Sequence, residues 1–244
     1  MRKLENLNIK IYADGANLNN IIELNSNQLI KGFTTNPTLM KKEGINNYEN
    51  FAKKILNIVK IKPISFEVFA DEYNEIYKQA REISSWGSNV NVKIPITYTN
   101  GESTFELVRS LSKEGVKCNI TAIFTIEKIK KILDAIDTNT PAILSIFAGR
   151  IADTGIDPAP IIKEAVNLAK IKSNVEILWA SPREILNIFQ AEDSGCHIIT
   201  VAHEILNKLN IINKNLEDFS LETVSMFHKD AKNAGYSINI KNKK

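Results

Sequence analysis

Lys93 sits in Asn89-Val90-Asn91-Val92-Lys93-Ile94-Pro95, the stretch of the chain that first suggests chemistry. Val90, Val92 and Ile94 alternate as in a strand, Lys93 falls on the opposite side, and Pro95 ends the ladder. A lysine held inside a strand is costly, because burial disfavours a charged ammonium. The neutral amine that burial favours is the usual nucleophile toward a carbonyl carbon. Taken alone, the pattern is more often an edge strand with its lysine in water. What the rest of the chain places around Lys93 therefore decides between the two.

The elements that must position Lys93 alternate strand and helix along the whole chain. Strands are predicted over 9–14, 30–34, 64–69, 89–95, 115–120, 142–147, 175–179 and 197–201, each followed by a helical stretch. A loop is expected over 149–158. Pro182 is expected in the first turn of a helix, where its missing N–H is harmless. Eight such pairs without a linker of unusual composition predict one α/β domain over 1–244, a closed (β/α)8 TIM barrel. A doubly wound open sheet is the runner-up, weakened because no Gly-x-Gly-x-x-Gly follows a strand. A C-terminal helical extension is expected over 217–234. Its amphipathic stretch Leu221–Ala231 would cap the barrel or pack on a neighbouring subunit, and residues 241–244 are expected to be disordered.

Composition narrows the function classes. With 43% hydrophobic and 24% charged residues in 244, the chain is that of a soluble globular protein with a large core. A net charge of +3 on scattered lysines gives no nucleic-acid face and weakly suits an anionic substrate. No apolar stretch is long enough to cross a membrane. Met1–Asn6 has no apolar leader core, so a cytoplasmic protein is expected. Cys118 and Cys196 lack metal spacing and read as buried free thiols. His197 and His203 flank the last strand without further ligands, so neither a metal nor an organic cofactor is expected.

In a barrel of this kind the active site lies where the strands end at their C-terminal side. Asp14 ends the first predicted strand, and Thr34, Thr35 and Asn36 follow the second. Glu67 interrupts the apolar third, Lys93 the fourth, and Asn119 and Thr121 close the fifth. Ser145 lies in the sixth with Phe147 and Arg150 just beyond, and Ser181 and Arg183 follow the seventh. Each has a plain alternative: Asp14 as a helix cap, Asn36 in an Asx-turn, Arg150 and Arg183 as rim charges. Seven consecutive strands delivering such groups to one rim are hard to explain by capping.

These residues carry a family resemblance. Ala13-Asp14, Gly32-Phe33-Thr34-Thr35-Asn36-Pro37-Thr38, Phe66-Glu67-Val68, Val92-Lys93-Ile94-Pro95, Asn119-Ile120-Thr121, Ser145-Ile146-Phe147-Ala148-Gly149-Arg150 and Ala180-Ser181-Pro182-Arg183 follow one another in order, with a weaker echo at Ile199-Thr200. In this the chain resembles the transaldolase family of Schiff-base aldolases, which includes the fructose-6-phosphate aldolases. The resemblance implies that Lys93 forms an imine with a ketose phosphate and that Asp14 is the acid/base at the C4 hydroxyl. It implies that Glu67 and Thr121 hold a relay water, that Asn36, Asn119 and Ser145 hold the dihydroxyacetone unit, and that Thr34 and Phe147 also contact substrate. Arg150, Ser181 and Arg183 match its phosphate site.

Two positions separate the branches. The fructose-6-phosphate aldolases resemble this chain but carry glutamine at the place of Glu67 and tyrosine at that of Phe147. Phenylalanine cannot protonate the bound three-carbon unit, so the resemblance implies transfer to an aldose phosphate rather than release of dihydroxyacetone. The rivals are such a releasing aldolase and a barrel that only binds phosphosugars. The chain departs from the family at Gly15, Ile146, Ala202-His203 and Ala231, which bears on acceptor choice and subunit contacts. A homo-oligomer is expected, with sugar phosphates as substrates.

Overall fold

A computed structural model describes residues 2–238. Eight parallel strands close into a barrel in sequence order, as the sequence predicts. They are β1 (Lys10–Asp14), β2 (Ile30–Thr34), β3 (Ile64–Glu67), β4 (Val90–Pro95), β5 (Cys118–Ile123), β6 (Ala142–Ile146), β7 (Val175–Trp179) and β8 (Ile198–Ala202). Among the described residues the helices number eleven, where eight and an extension were expected. The first six are α1 (Leu18–Ser26), α2 (Pro37–Lys42), α3 (Tyr48–Ile58), α4 (Tyr73–Ser85), α5 (Phe105–Lys113) and α6 (Ile126–Ala135). They are followed by α7 (Ala148–Ala152), α8 (Ala159–Ala169), α9 (Leu186–Asp193), α10 (His203–Leu206) and α11 (Leu216–Asn233). The tail beginning at Lys241 lies outside the described residues.

The core is a shell of Ile, Val, Leu and Ala between barrel and helices, continuous from Ile11 and Ile30 to Ile199 and Val201. Cys118 and Cys196 are free and lie within it, and burial pushes both thiols up to about 12. Alternate strand residues face the barrel axis instead. There Tyr12, Ile143, Leu178, Ala180 and Ile198 form a separate small cluster. The Tyr12 ring lies flat on β2: a Cβ on Gly32 would meet it at 2.6 Å. This plug divides the barrel interior into an upper and a lower cup.

Several predicted boundaries move, each for a local reason. The fifth strand starts at Cys118, not 115, because Gly115 adopts φ +82° and closes α5. The third ends at Glu67 rather than 69, since the backbone N–H groups of Phe69 and Ala70 turn to the Gln79 side chain. Pro182 is not in a helical first turn: the Asn187 side chain accepts from the N–H groups of Arg183 and Glu184, and α9 begins only at Leu186. The expected loop from 149 instead opens with α7. No helix of the described residues is long and apolar enough to cross a membrane.

Candidate active site

The upper cup is a cavity of about 410 Å³ at the C-terminal ends of the strands. Asp14, Thr34, Asn36, Glu67, Lys93, Thr121, Ser145, Phe147, Arg150 and Ser181 all line it. Ten of the twelve residues singled out from sequence therefore meet in one place.

Lys93 is at its centre. β4 is flanked by β3 and β5 over its length, so its register sets Lys93 opposite Glu67 on one side and Asn119 on the other. The Lys93 ammonium lies 3.0 Å from Glu67 Oε2, with side-chain exposures of 8% and 16%. It also donates to the Thr35 carbonyl at 3.1 Å. That carbonyl is fixed in turn, because both the N–H and the hydroxyl of Thr35 donate to Ser65 O. The edge-strand alternative is excluded. Glu67 is itself held by Tyr48, whose hydroxyl accepts from Glu67 N–H and donates to Glu67 O, both at 2.7 Å.

Asp14 ends β1 beside this pair. Thr34 donates to Asp14 Oδ1 at 2.7 Å and lies 2.5 Å from the Thr200 hydroxyl. Burial raises the Asp14 carboxyl above its ordinary value, opposed by the Lys93 ammonium and by the Thr34 hydrogen bond. A carboxyl shifted in that direction suits proton transfer near neutral pH. Thr200 was visible only as a weak motif echo; its place two residues beyond the inward-facing Ile198 was the signal available.

On β5 Thr121, two residues beyond Asn119, faces the cavity by strand alternation, just before Ala122 takes φ +58° and the register with β6 breaks. The Thr121 hydroxyl is buried there without a hydrogen-bond partner among the described residues. A bare buried hydroxyl costs about 1–3 kcal/mol.

Two expected site residues sit differently. Asn119 is fully buried beneath the cavity, donating to Ser65 Oγ at 3.0 Å and accepting from Ser145 Oγ at 2.6 Å. It aims Ser145 rather than lining the cup. Arg183 closes its guanidinium on both carboxylate oxygens of Asp153, half exposed, outside the lining. Asn36 lines the cup but also caps α2, its Oδ1 accepting from Leu39 N–H at 2.9 Å. Pro37 follows at the position where the cap needs no donor.

The rim opposite Lys93 is built on a tight backbone contact. Ser181 adopts φ +63°, a strained state for a residue with a side chain. Its carbonyl approaches Gly149 so closely that a Cβ there would sit 1.5 Å from Ser181 O. Gly149 thereby lets α7 bring Arg150 beside Phe147, over whose ring the guanidinium lies at 5.6 Å. Phe147 also packs against Phe124, with ring centroids 5.8 Å apart. Gly149→Ala should displace this rim and lower stability by about 3 kcal/mol or more; urea unfolding measures it. A loss under 1 kcal/mol would mean the contact relaxes easily.

Among the described residues no group of His, Cys, Asp and Glu could hold a metal ion. The family model described as Transaldolase/Fructose-6-phosphate aldolase matches residues 11–241. The chain belongs to this family. It is therefore an enzyme of the transaldolase and aldolase class. Relatives named probable transaldolase extend over nearly the same length. One from Thermoanaerobacter sp. (strain X514) is 34% identical over 231 residues, 94% of this chain and 100% of the relative. One from Dehalococcoides mccartyi is 35% identical over 202 residues, 82% and 90% of the two chains. A probable transaldolase 2 of Listeria monocytogenes is 35% identical over 86% of this chain and 94% of its own. Solved structures at low identity share the barrel only. KGPDC from Streptococcus mutans superposes with TM-score 0.53 at 9% identity, covering 80% of this chain and 88% of its own. A 2,3-dimethylmalate lyase gives 0.53 at 13%, covering 99% and 88%. In this chain Lys93, Asp14, Glu67 and Arg150 line one cavity.

Proposed function

We propose that the enzyme is a transaldolase moving a dihydroxyacetone unit between sugar phosphates through an imine on Lys93. The observation that carries this is the buried Lys93–Glu67 pair, with the Asp14 carboxyl in the same cup. For attack, the Lys93 ammonium gives a proton to Glu67, and the free amine bonds to C2 of a ketose phosphate. Loss of water yields the iminium, an electron sink. Asp14 takes the C4 hydroxyl proton, the C3–C4 bond breaks, and the aldose phosphate leaves. The enamine left on Lys93 then attacks an acceptor aldehyde at C3 of the unit. Asp14 returns its proton to the new alkoxide, and water releases the product ketose phosphate.

The unpartnered Thr121 hydroxyl, close to this chemistry, is suited to hold the water lost and regained. Arg150 and the Ser181 hydroxyl supply a charge and a donor for phosphate. Arg183 joins them only by exchanging Asp153 for the substrate. Asn36 and Ser145, the latter steadied by Asn119, surround the three-carbon unit.

The test is borohydride trapping with fructose 6-phosphate and mass spectrometry of the Lys93 peptide. A three-carbon adduct on Lys93 is expected; an unmodified Lys93 with this donor and with sedoheptulose 7-phosphate would refute the mechanism. Phe147 favours transfer over release, since it places no acid over the enamine. Phe147→Tyr should therefore raise the rate of free dihydroxyacetone formation by about tenfold or more, as a positioned acid contributes at least that much. An enzymatic assay for dihydroxyacetone without acceptor reads it directly.

A homo-oligomer is part of the same proposal. The eighteen residues of α11 include none that is buried, while Phe219, Leu221, Val224 and Phe227 are exposed. Such a face is covered by another subunit, and sedimentation velocity distinguishes this from a monomer. Sugar-phosphate substrates and two free thiols fit a cytoplasmic setting.

A further inference from the structure

The lower cup, below the Tyr12 plug, is also a cavity, of about 490 Å³, and the transfer reaction makes no use of it. It opens at the N-terminal ends of the strands, on the side away from Lys93. Small-molecule sites commonly occupy 300–1,000 Å³. Two polar side chains that are more than nine-tenths buried line it, Tyr12 at 3% exposure and Asn91 at 7%. Both residues line the cavity, and neither the Tyr12 hydroxyl nor the Asn91 amide is among the sealed-off polar atoms of the described residues, so both are open to whatever enters it.

The rim above these two is basic. Lys10, Lys60 and Lys117 line it against a single acid, Glu176. Glu176 is already matched by Lys10 at 2.8 Å. Lys117 spends one donor on the Ser88 carbonyl at 2.8 Å and keeps two. Lys60 has no ion-pair partner among the described residues and is exposed. The surplus of two positive charges fits a phosphomonoester dianion. The neutral amide and phenol beneath fit hydroxyl groups, not an apolar tail or a second charge.

We propose that the N-terminal mouth of the barrel is a second binding site, for a small phosphate-bearing metabolite with a hydroxylated body. The phosphate sits between Lys60 and Lys117, with Lys10 remaining on Glu176, and the hydroxyls reach Asn91 and Tyr12. This site is independent of the reaction assigned to the upper cup.

The experiment titrates the full-length protein with inorganic phosphate and with glycerol 3-phosphate. It follows the Asn91 side-chain amide by nitrogen–proton NMR, identified from its loss in Asn91→Ser. Arg150→Ala serves as background, so that anion binding in the upper cup does not contribute. A saturable shift of that amide is expected, with glycerol 3-phosphate the tighter ligand. Lys60→Glu, at an exposed position that leaves the fold intact, should weaken it about tenfold. A linear, unsaturated shift, or one indifferent to Lys60→Glu, would overturn the site. Equal affinity for the two ligands would overturn the hydroxylated body.

Discussion

Lys93→Met should lower transfer activity by about 10⁴-fold or more, and abolish borohydride trapping, while the barrel still folds. Methionine has nearly the length of lysine and is at home in a buried strand, so the cavity keeps its shape. What disappears is the amine, and with it every covalent intermediate; losses of a nucleophile are of this size. The residues proposed to recognise phosphate, Arg150 and Ser181, are untouched by the substitution. Ketose phosphate should therefore still bind, measured by a thermal shift on addition of substrate. A variant retaining more than a hundredth of the wild-type rate would mean that Lys93 orders water or charge rather than forming a bond.

Asp14→Asn should lower kcat by about 10²–10⁴-fold, the range for removing a positioned acid/base. Its pH behaviour is the sharper readout. As a base, Asp14 works ionised, so wild-type activity should rise with pH through its raised pKa. Asparagine cannot titrate, and that limb should vanish. Stability should move the other way. Because burial raises the folded pKa above the unfolded one, the native protein binds the extra proton between the two. Wild-type stability then falls as pH rises through that window. Asp14→Asn, neutral throughout, keeps an acceptor for Thr34 and should be more stable than wild type at neutral pH. The gain should disappear at pH below the ordinary aspartate range. Urea midpoints at neutral and strongly acidic pH give the comparison; a variant less stable at neutral pH would contradict it.

The architecture was legible because seven of the eight strands announce themselves twice, once as an apolar run and once by the polar residue near the end. Lys93 illustrates this: three apolar neighbours marked the strand and put the lysine on its opposite face, and the polar groups at the ends of the other strands placed that face inside. The boundaries were less legible. Gly115 looked like the opening of a strand, yet its left-handed backbone belongs to the helix before it. Gly149 suggested a loop, whereas its missing side chain serves a close packing contact across 32 residues, 149 to 181. Partner choice was least legible. Nothing near Arg183 in sequence says that Asp153 holds it, or that Asn119 spends its amide on Ser65 and Ser145. Residue type and strand position fix which groups reach the site, while hydrogen-bond capacity is allotted only by tertiary proximity.

The Tyr12 ring lying across Gly32 makes the barrel two vessels sharing a floor rather than a tube. Lys10, Tyr12 and Asp14 are successive inward positions of one strand, yet the first two line the lower vessel and the third the upper. Changes at the upper mouth can therefore alter which substrate is accepted without reaching the residues below. The lower mouth is equally free to acquire a ligand of its own. One hydrophobic floor lets the two ends of the same eight strands evolve separately.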